Sequence, residues 1–333
     1  MIDSGVKSKQ KRRVAWTRER LLRERAIALG QAIDISTWKN YGSALNSYLT
    51  FVRLHNFPVE PTADTISFFT VFMCHHIKPD SVDTYLSGIC QQLEPYFPSV
   101  RDIRKSMLCK RTLTGCKRLV RGVPTKRKRA LTLMDLQTVI NHYANSSSHD
   151  DLLFLSQLLT GFFALMRLGE LTVSDDKSLL DYRKITSRTS VSLSNDDYRF
   201  FLPSHKADKF FEGNIVIIQR HTGSINPLYF FQKYLNSRDR LFPFSPDLWL
   251  KADGTRPSRS FFIRRMRLFF TDDIAGQSMR AGGATSLAEN GVPPHLIQAI
   301  GRWASPAFQI YIRKNPVLLQ ALLFGRAAHD PLC

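Results

Sequence analysis

Four residues in the C-terminal half of this sequence could together break a phosphodiester bond. Arg167 sits in ALMRLGEL and Arg280 in SMRAGGAT, each an isolated guanidinium at the predicted end or start of a helix. Two such forks can hold the non-bridging oxygens of a phosphate and offset charge that develops on them in the transition state. Lys206, in the polar loop SHKADK, can protonate a departing oxygen, a role typically worth about 10²–10⁴-fold. Tyr311, beside Arg313 and Lys314, can attack phosphorus and store the bond as a phosphotyrosyl ester. That chemistry calls for no metal or nucleotide cofactor. Spacing alone does not single these four out among 47 basic residues and 10 tyrosines.

The overall charge points to the same substrate class. Against 28 acidic residues the basic excess gives +19, and so large a charge on a foldable chain suggests a polyanionic partner such as double-stranded DNA. An apolar content of 43% excludes general disorder. The 5 cysteines are irregularly spaced and read as reduced thiols, not as a disulfide framework. Cys74, His75 and His76 lack a second ligand pair at metal spacing, so no metal site is expected. No apolar run reaches the ~18 residues of a membrane span, and the basic start lacks a signal-peptide core. The expectation is an intracellular protein, nuclear if the host is eukaryotic.

Positioning these groups requires two domains, and 333 residues suffice for both. Residues 1–29 read as a basic arm followed by a first helix from Trp16 to about Leu29. Residues 30–121 form a helical domain. Ser36 is its expected first cap, and Trp38, Tyr41, Ala44, Leu45, Tyr48, Leu49 and Val52 define one buried face. Thr62 caps a second helix, Ser81 starts a third, and a fourth spans about Val100 to Val120. On that fourth helix Arg104, Arg111, Arg118 and Arg121 fall near one face, which suits tracking a phosphate backbone. Residues 122–130, with Lys126, Arg127, Lys128 and Arg129, read as a basic linker that also contacts DNA.

Residues 131–333 form the second domain. Thr132 and Asp135 resemble a capping box, and an apolar helix runs from Asp150 towards Arg167. Strands follow over residues 189–193, 198–202 and 214–218, with the Lys206 loop between the last two. The chain is then helical again after Gly223. The Ala281 to Thr285 run lets the helix carrying Arg280 pack closely. The expected class is mainly α with a small antiparallel β-sheet.

Three segments, GFFALMRLGEL, LPSHKAD and residues 277–311, resemble in order and separation the catalytic segments of the tyrosine recombinases (phage-integrase or Cre-like). STWKNYGSALNSYLTF and SVDTYLSGI resemble that family's core-binding domain, so the resemblance spans about residues 30–325. SMRAGGAT, GRW and AFQIYIR are most similar to the Crypton and DIRS recombinases of eukaryotic, notably fungal, mobile elements. The resemblance implies a helical core-binding domain and an α+β catalytic domain that clamp DNA between them. It implies roles as well. Arg167 and Arg280 match the catalytic arginines, Glu170 the acid supporting the first of them, and Lys206 the hairpin lysine, with Lys209 a second claimant. Trp303 matches the position held by His or Trp, and Tyr311 the nucleophile. Gln277 stands where the family usually has His; it can donate a hydrogen bond but cannot exchange a proton near neutral pH. His205, beside Lys206, is a candidate to replace that function.

Cleavage would leave a 3′-phosphotyrosine and a free 5′-hydroxyl, followed by ligation to a partner strand. The resemblance also implies a dimer on each site and a tetramer in the synapse. The apolar segment 317–324 would dock on a neighbouring protomer through Leu318, Leu319, Leu322 and Leu323. Two other readings remain open: a type IB topoisomerase, which reseals the same strand, and a catalytically impaired DNA-binding protein derived from a mobile element.

Overall fold

The computed structural model describes residues 13–120, 128–208 and 210–303. Lys209, Arg121, Lys126, Arg127, Tyr311 and segment 317–324 lie outside them. The protein is mainly α-helical with a small three-stranded antiparallel sheet, and it divides into two compact units, Met1–Pro124 and Thr125–Cys333.

In the first unit, Thr17 caps α1 (Arg18–Gln31), a helix with no buried residue. The next helices are α2 (Ile35–Leu54), α3 (Ala63–Cys74), α4 (Pro79–Leu93), α5 (Val100–Lys105) and α6 (Met107–Leu119). Tyr48, Phe51, Ile66, Phe69, Val82, Leu86 and Ile89 fill their shared core. The buried face of α2 comprises Ala44, Tyr48, Phe51 and Val52; Trp38, expected inside, is 55% exposed. The cap of α2 is Asp34, whose carboxylate accepts the Ser36 N–H, so Ser36 lies inside the helix. Pro79 occupies the first turn of α4, where its missing N–H costs nothing, and the helix begins earlier than Ser81. The long basic helix expected over residues 100–120 is in fact two. Ser106 breaks it, and its Oγ caps α6 by accepting the Cys109 N–H at 3.4 Å.

The second unit opens with the Thr132–Asp135 capping box on α7 (Leu133–Tyr143). Next comes α8 (His149–Phe163), apolar all round and buried from Leu152 through Phe162. Its few polar side chains tie it to neighbouring elements. Ser156 donates to the Phe230 carbonyl at 3.0 Å, Gln157 to the Leu171 carbonyl at 2.6 Å, and Thr160 shares a 2.8 Å hydrogen bond with the Tyr198 hydroxyl. After α9 (Leu168–Leu171) and three single 3-10 turns the chain forms β1 (Ser192–Leu193), β2 (Asp197–Leu202) and β3 (Asn214–Gln219), paired in that order. Tyr198, Phe200 and Leu202 of β2 point into the core, and the Tyr198 ring stacks on Phe231 with centroids 4.0 Å apart. Then follow α10 (Pro227–Leu241), α11 (Arg259–Met266), α12 (Ser278–Glu289) and α13 (Pro294–Ile300).

The small residues of α12 let it lie directly on the end of α8. A Cβ at Gly282 would collide with the Leu131 carbonyl, and one at Gly283 with the Phe162 carbonyl. Backbone therefore meets backbone here, and Arg280 on α12 is held against the last turn of α8.

Candidate active site

Two helix ends build the site. At the end of α8 the Met166 N–H donates to the Gly161 carbonyl at 2.9 Å and the Leu165 N–H to that of Phe162 at 3.3 Å. At the end of α13 the Trp303 N–H donates to the Gln298 carbonyl at 3.2 Å and the Arg302 N–H to that of Ala299 at 3.0 Å. Both patterns are Schellman motifs, which need a left-handed residue just past the helix. Glycine usually fills that slot, but here Leu165 (φ 51) and Arg302 (φ 54) do. For an L-residue the conformation costs roughly 1–2 kcal/mol.

The first motif delivers Arg167 at the start of α9. The Glu170 carboxylate, whose side chain is 6% exposed, accepts the Arg167 backbone N–H at Oε2 and its Nη1 at Oε1, both at 2.9 Å. Arg167 retains 27% side-chain exposure, enough to meet a ligand.

The second motif delivers Gly301, Arg302 and Trp303. Arg280, 4% exposed, donates from Nη2 to the Gly301 carbonyl, and its guanidinium lies 4.1 Å from the centre of the Trp303 ring. A Cβ at Gly301 would run into that indole, so the glycine is what lets Trp303 fold back beneath Arg280. Between them, Arg302 turns the other way. Its Nη2 reaches Glu170 Oε2 at 3.2 Å and the α8 carbonyls of Ala164 and Leu165 at 3.4 and 3.5 Å. Burial pulls the Arg302 pKa below its ordinary value, while the Glu170 charge works against that shift. The tripeptide thus links Arg280 on one side to Glu170 and Arg167 on the other.

The remaining expected residues stand apart. Lys206 and Gln277 are exposed, and among the described residues neither makes a hydrogen bond or ion pair with that network. The Lys206 loop is nonetheless ordered by Asp208, which accepts the backbone N–H groups of Phe210, Glu212 and Gly213 at 3.1, 3.2 and 2.9 Å. Those bonds, Gly213 first, hold its carboxyl below the usual range. Gln277 occupies the position just before α12. No cluster of His, Cys, Asp or Glu among the described residues could hold a metal ion, and no described helix is long and apolar enough to cross a membrane.

Arg302 is the residue that sequence reasoning passed over. It was read only as the middle of GRW, although a charge between a glycine and a tryptophan in an otherwise apolar stretch was the available signal.

The basic residues expected to contact DNA divide by their partners. Arg111 and Arg118 on α6 are exposed. Arg104 is instead held within its own unit, by Asp83 Oδ1 and Ser87 Oγ, both at 2.9 Å. Lys117 is similarly held by Asp80 and Asp83. In the second unit Lys128 donates to the Asp272 carbonyl, and Arg129 forks onto Asp135 at 2.6 and 3.0 Å and onto Asp273 at 2.7 Å. Asp135 and then Asp273 raise the Arg129 pKa. The acids that neutralise this basic stretch come from other helices and loops, which the local sequence did not reveal.

No protein-family description and no curated protein matches the sequence. Solved structures do resemble it. One is the XerH site-specific recombinase in a post-cleavage complex with palindromic difH substrate, with a TM-score of 0.59 and 14% identity over 86% of this chain and 78% of that one. Another is a lambda integrase dimer bound to a COC′ core site, with a TM-score of 0.52 and 14% identity over 89% of this chain and 94% of that one. The Tn1549 transposon integrase in complex with a circular-intermediate DNA gives a TM-score of 0.51 at 12% identity, over 80% of this chain and 94% of that one. At such identities the likeness is one of architecture: the protein is built on the fold of the tyrosine recombinases.

Proposed function

We propose that this chain cuts and rejoins DNA strands in site-specific recombination or transposition, through a 3′-phosphotyrosyl intermediate on Tyr311. The observation that carries this reading is the turn at Gly301, Arg302 and Trp303. It carries the hydrogen bond and stacking contact of Arg280 with Gly301 and Trp303 on one side and the Arg302–Glu170–Arg167 bonds on the other, so that the pair Arg167 and Glu170 is tied to Arg280 and Trp303 more than a hundred residues away. A partly exposed guanidinium and a buried one stacked on an indole, tied to the same turn, would suit a phosphodiester. Arg167 and Arg280 would take the non-bridging oxygens, and the Trp303 indole N–H would donate to a third position.

The Tyr311 hydroxyl gives its proton to a base, for which His205 beside Lys206 is the candidate, and attacks phosphorus; the bond to the 5′-oxygen breaks, and Lys206 protonates that oxygen as it leaves. Gln277 can steady a phosphate oxygen but cannot carry a proton near neutrality. Ligation runs the same steps backwards with a 5′-hydroxyl from a partner strand. Arg111 and Arg118, with Arg121, Lys126 and Arg127, supply grip on the backbone.

SMRAGGAT, GRW and the eight-residue step from Trp303 to Tyr311 favour a relationship to Crypton and DIRS elements, hence a nuclear site of action. A dimer on each DNA site and a tetramer in the synapse complete the proposal, with residues 317–324 as the docking segment. The DNA complexes named for the similar structures support DNA as the partner.

Incubation with a nicked suicide duplex carrying the sequences that flank the gene tests the reading. A detergent-stable protein–DNA adduct is expected. DNA binding with no adduct would instead identify an impaired DNA-binding protein. Relaxation of supercoiled DNA by a monomer would identify a nicking-closing enzyme.

A further inference from the structure

Arg302 holds a place that its type makes costly. It sits at φ 54, a left-handed position where glycine is at ease. Its side chain is only 9% exposed, so a charged group is taken out of water. Its Nε is buried without a hydrogen-bond partner. Backbone strain and a desolvated charge at one residue persist only when the surroundings use that residue.

What the surroundings gain is visible in the bonds. Glu170 is 6% exposed and has two cationic partners. Oε1 takes Arg167 Nη1, while Oε2 takes the Arg167 backbone N–H and Arg302 Nη2. Without Arg302, half of that buried carboxylate keeps only a backbone donor. The carboxylate is then free to turn, and the guanidinium leaning on it turns too. Arg302 also donates to the Ala164 and Leu165 carbonyls, the open end of α8 just before Arg167. Its own backbone lies between Gly301, whose carbonyl Arg280 holds, and Trp303, over which Arg280 stacks. The side chain therefore ties the turn carrying Arg167 to the turn that receives Arg280.

We infer that Arg302 is a positioning residue: through Glu170 it fixes the orientation of Arg167 and locks the two guanidinium groups of the site to one another. It does not reach the phosphate itself. This inference rests on the strand-cleavage reading for its catalytic consequence, and on geometry alone for its effect on Arg167.

Arg302→Gly is the informative variant, because glycine relieves the backbone strain while removing the guanidinium. The single-turnover rate of adduct formation is expected to fall by about 10- to 100-fold, the scale of a misplaced catalytic group. DNA affinity and the thermal midpoint should stay close to wild type. Added guanidinium ion should restore part of the rate. In an Glu170→Gln background the same change should cost little more, since both act along one path. A rate unchanged by Arg302→Gly, or a loss matched by equal losses of stability and DNA affinity, overturns the inference.

A second measurement stands apart from activity. In protein labelled with ¹⁵N-arginine, the Arg167 Nε–Hε signal should be sharp in the wild type and broadened in Arg302→Gly. An unchanged signal overturns the positioning role even if the variant is slow. Should the wild-type protein form no adduct at all, the cleavage reading fails, and the Arg167 signal alone decides whether Arg302 positions it.

Discussion

Glu170 sets the charge balance of the site, because its single buried carboxylate faces both Arg167 and Arg302. Two guanidinium groups and one carboxylate leave a net positive charge, and Arg280 adds another beside Trp303. A phosphodiester would meet that surplus. At the same scale, Gln277 would be the weak point of the proposed reaction, since an amide cannot take a proton from a phenol. Gln277→His should therefore raise the single-turnover rate of adduct formation, by up to the about 10²–10⁴-fold typical of general acid–base catalysis. A rate unchanged by the substitution would show that proton transfer at that position does not limit the reaction. Arg167, Glu170, Arg280 and Trp303 are picked out by the family resemblance and not by residue type or spacing, and the structure connects them through the turn at Gly301, Arg302 and Trp303. Arg302 offered only one local signal, a charge between Gly301 and Trp303, because its contacts depend on a left-handed turn and on a carboxylate more than a hundred residues away.

The elements that hold these residues depend on close backbone contact. Gly282 and Gly283 allow α12 to touch the Leu131 and Phe162 carbonyls, which keeps Arg280 at the end of α8. Gly283→Ala should lower the stability of the second unit by about 1–3 kcal/mol, the usual cost of overpacking, as read from its denaturant midpoint. Gly115→Ala on α6, where an added Cβ meets nothing within 4 Å, should act the opposite way and stabilise the first unit by about 0.5–1 kcal/mol, the helix-propensity gain over glycine. The small-residue run made that packing readable beforehand, as the Thr132–Asp135 capping box did for the start of α7. Boundaries that hinge on a single cap were harder to place. Asp34 outcompetes Ser36 because its carboxylate reaches the Ser36 N–H from outside the helix. Ser106 divides what reads as a continuous basic helix, since helical spacing on either side of it is the same in both cases.

Across the whole molecule the question is how a charge of +19 is used. Part of it is spent internally: Arg104, Lys117 and Arg129 face Asp83, Asp80, Asp135 and Asp273. Charge left exposed, as on Arg111 and Arg118, would be the part available to the proposed DNA partner. Alanine at Arg111 or Arg118 should weaken binding evenly across sequences and reduce the slope of log affinity against log salt by about 1 each. Alanine at Arg104 should leave that slope unchanged and lower the stability of the helical unit instead, because it leaves Asp83 short of a partner. Equal slopes for all three variants would contradict this division. The central claim, however, is covalent chemistry at one tyrosine. Trapping the protein on a nicked suicide duplex, digesting the adduct and sequencing the DNA-linked peptide by mass spectrometry tests it most directly. Cleavage by Tyr311 gives a nucleotide 3′-phosphate on that residue and no adduct in Tyr311→Phe; a linkage to any other residue, or an adduct that survives Tyr311→Phe, would rule it out as the nucleophile.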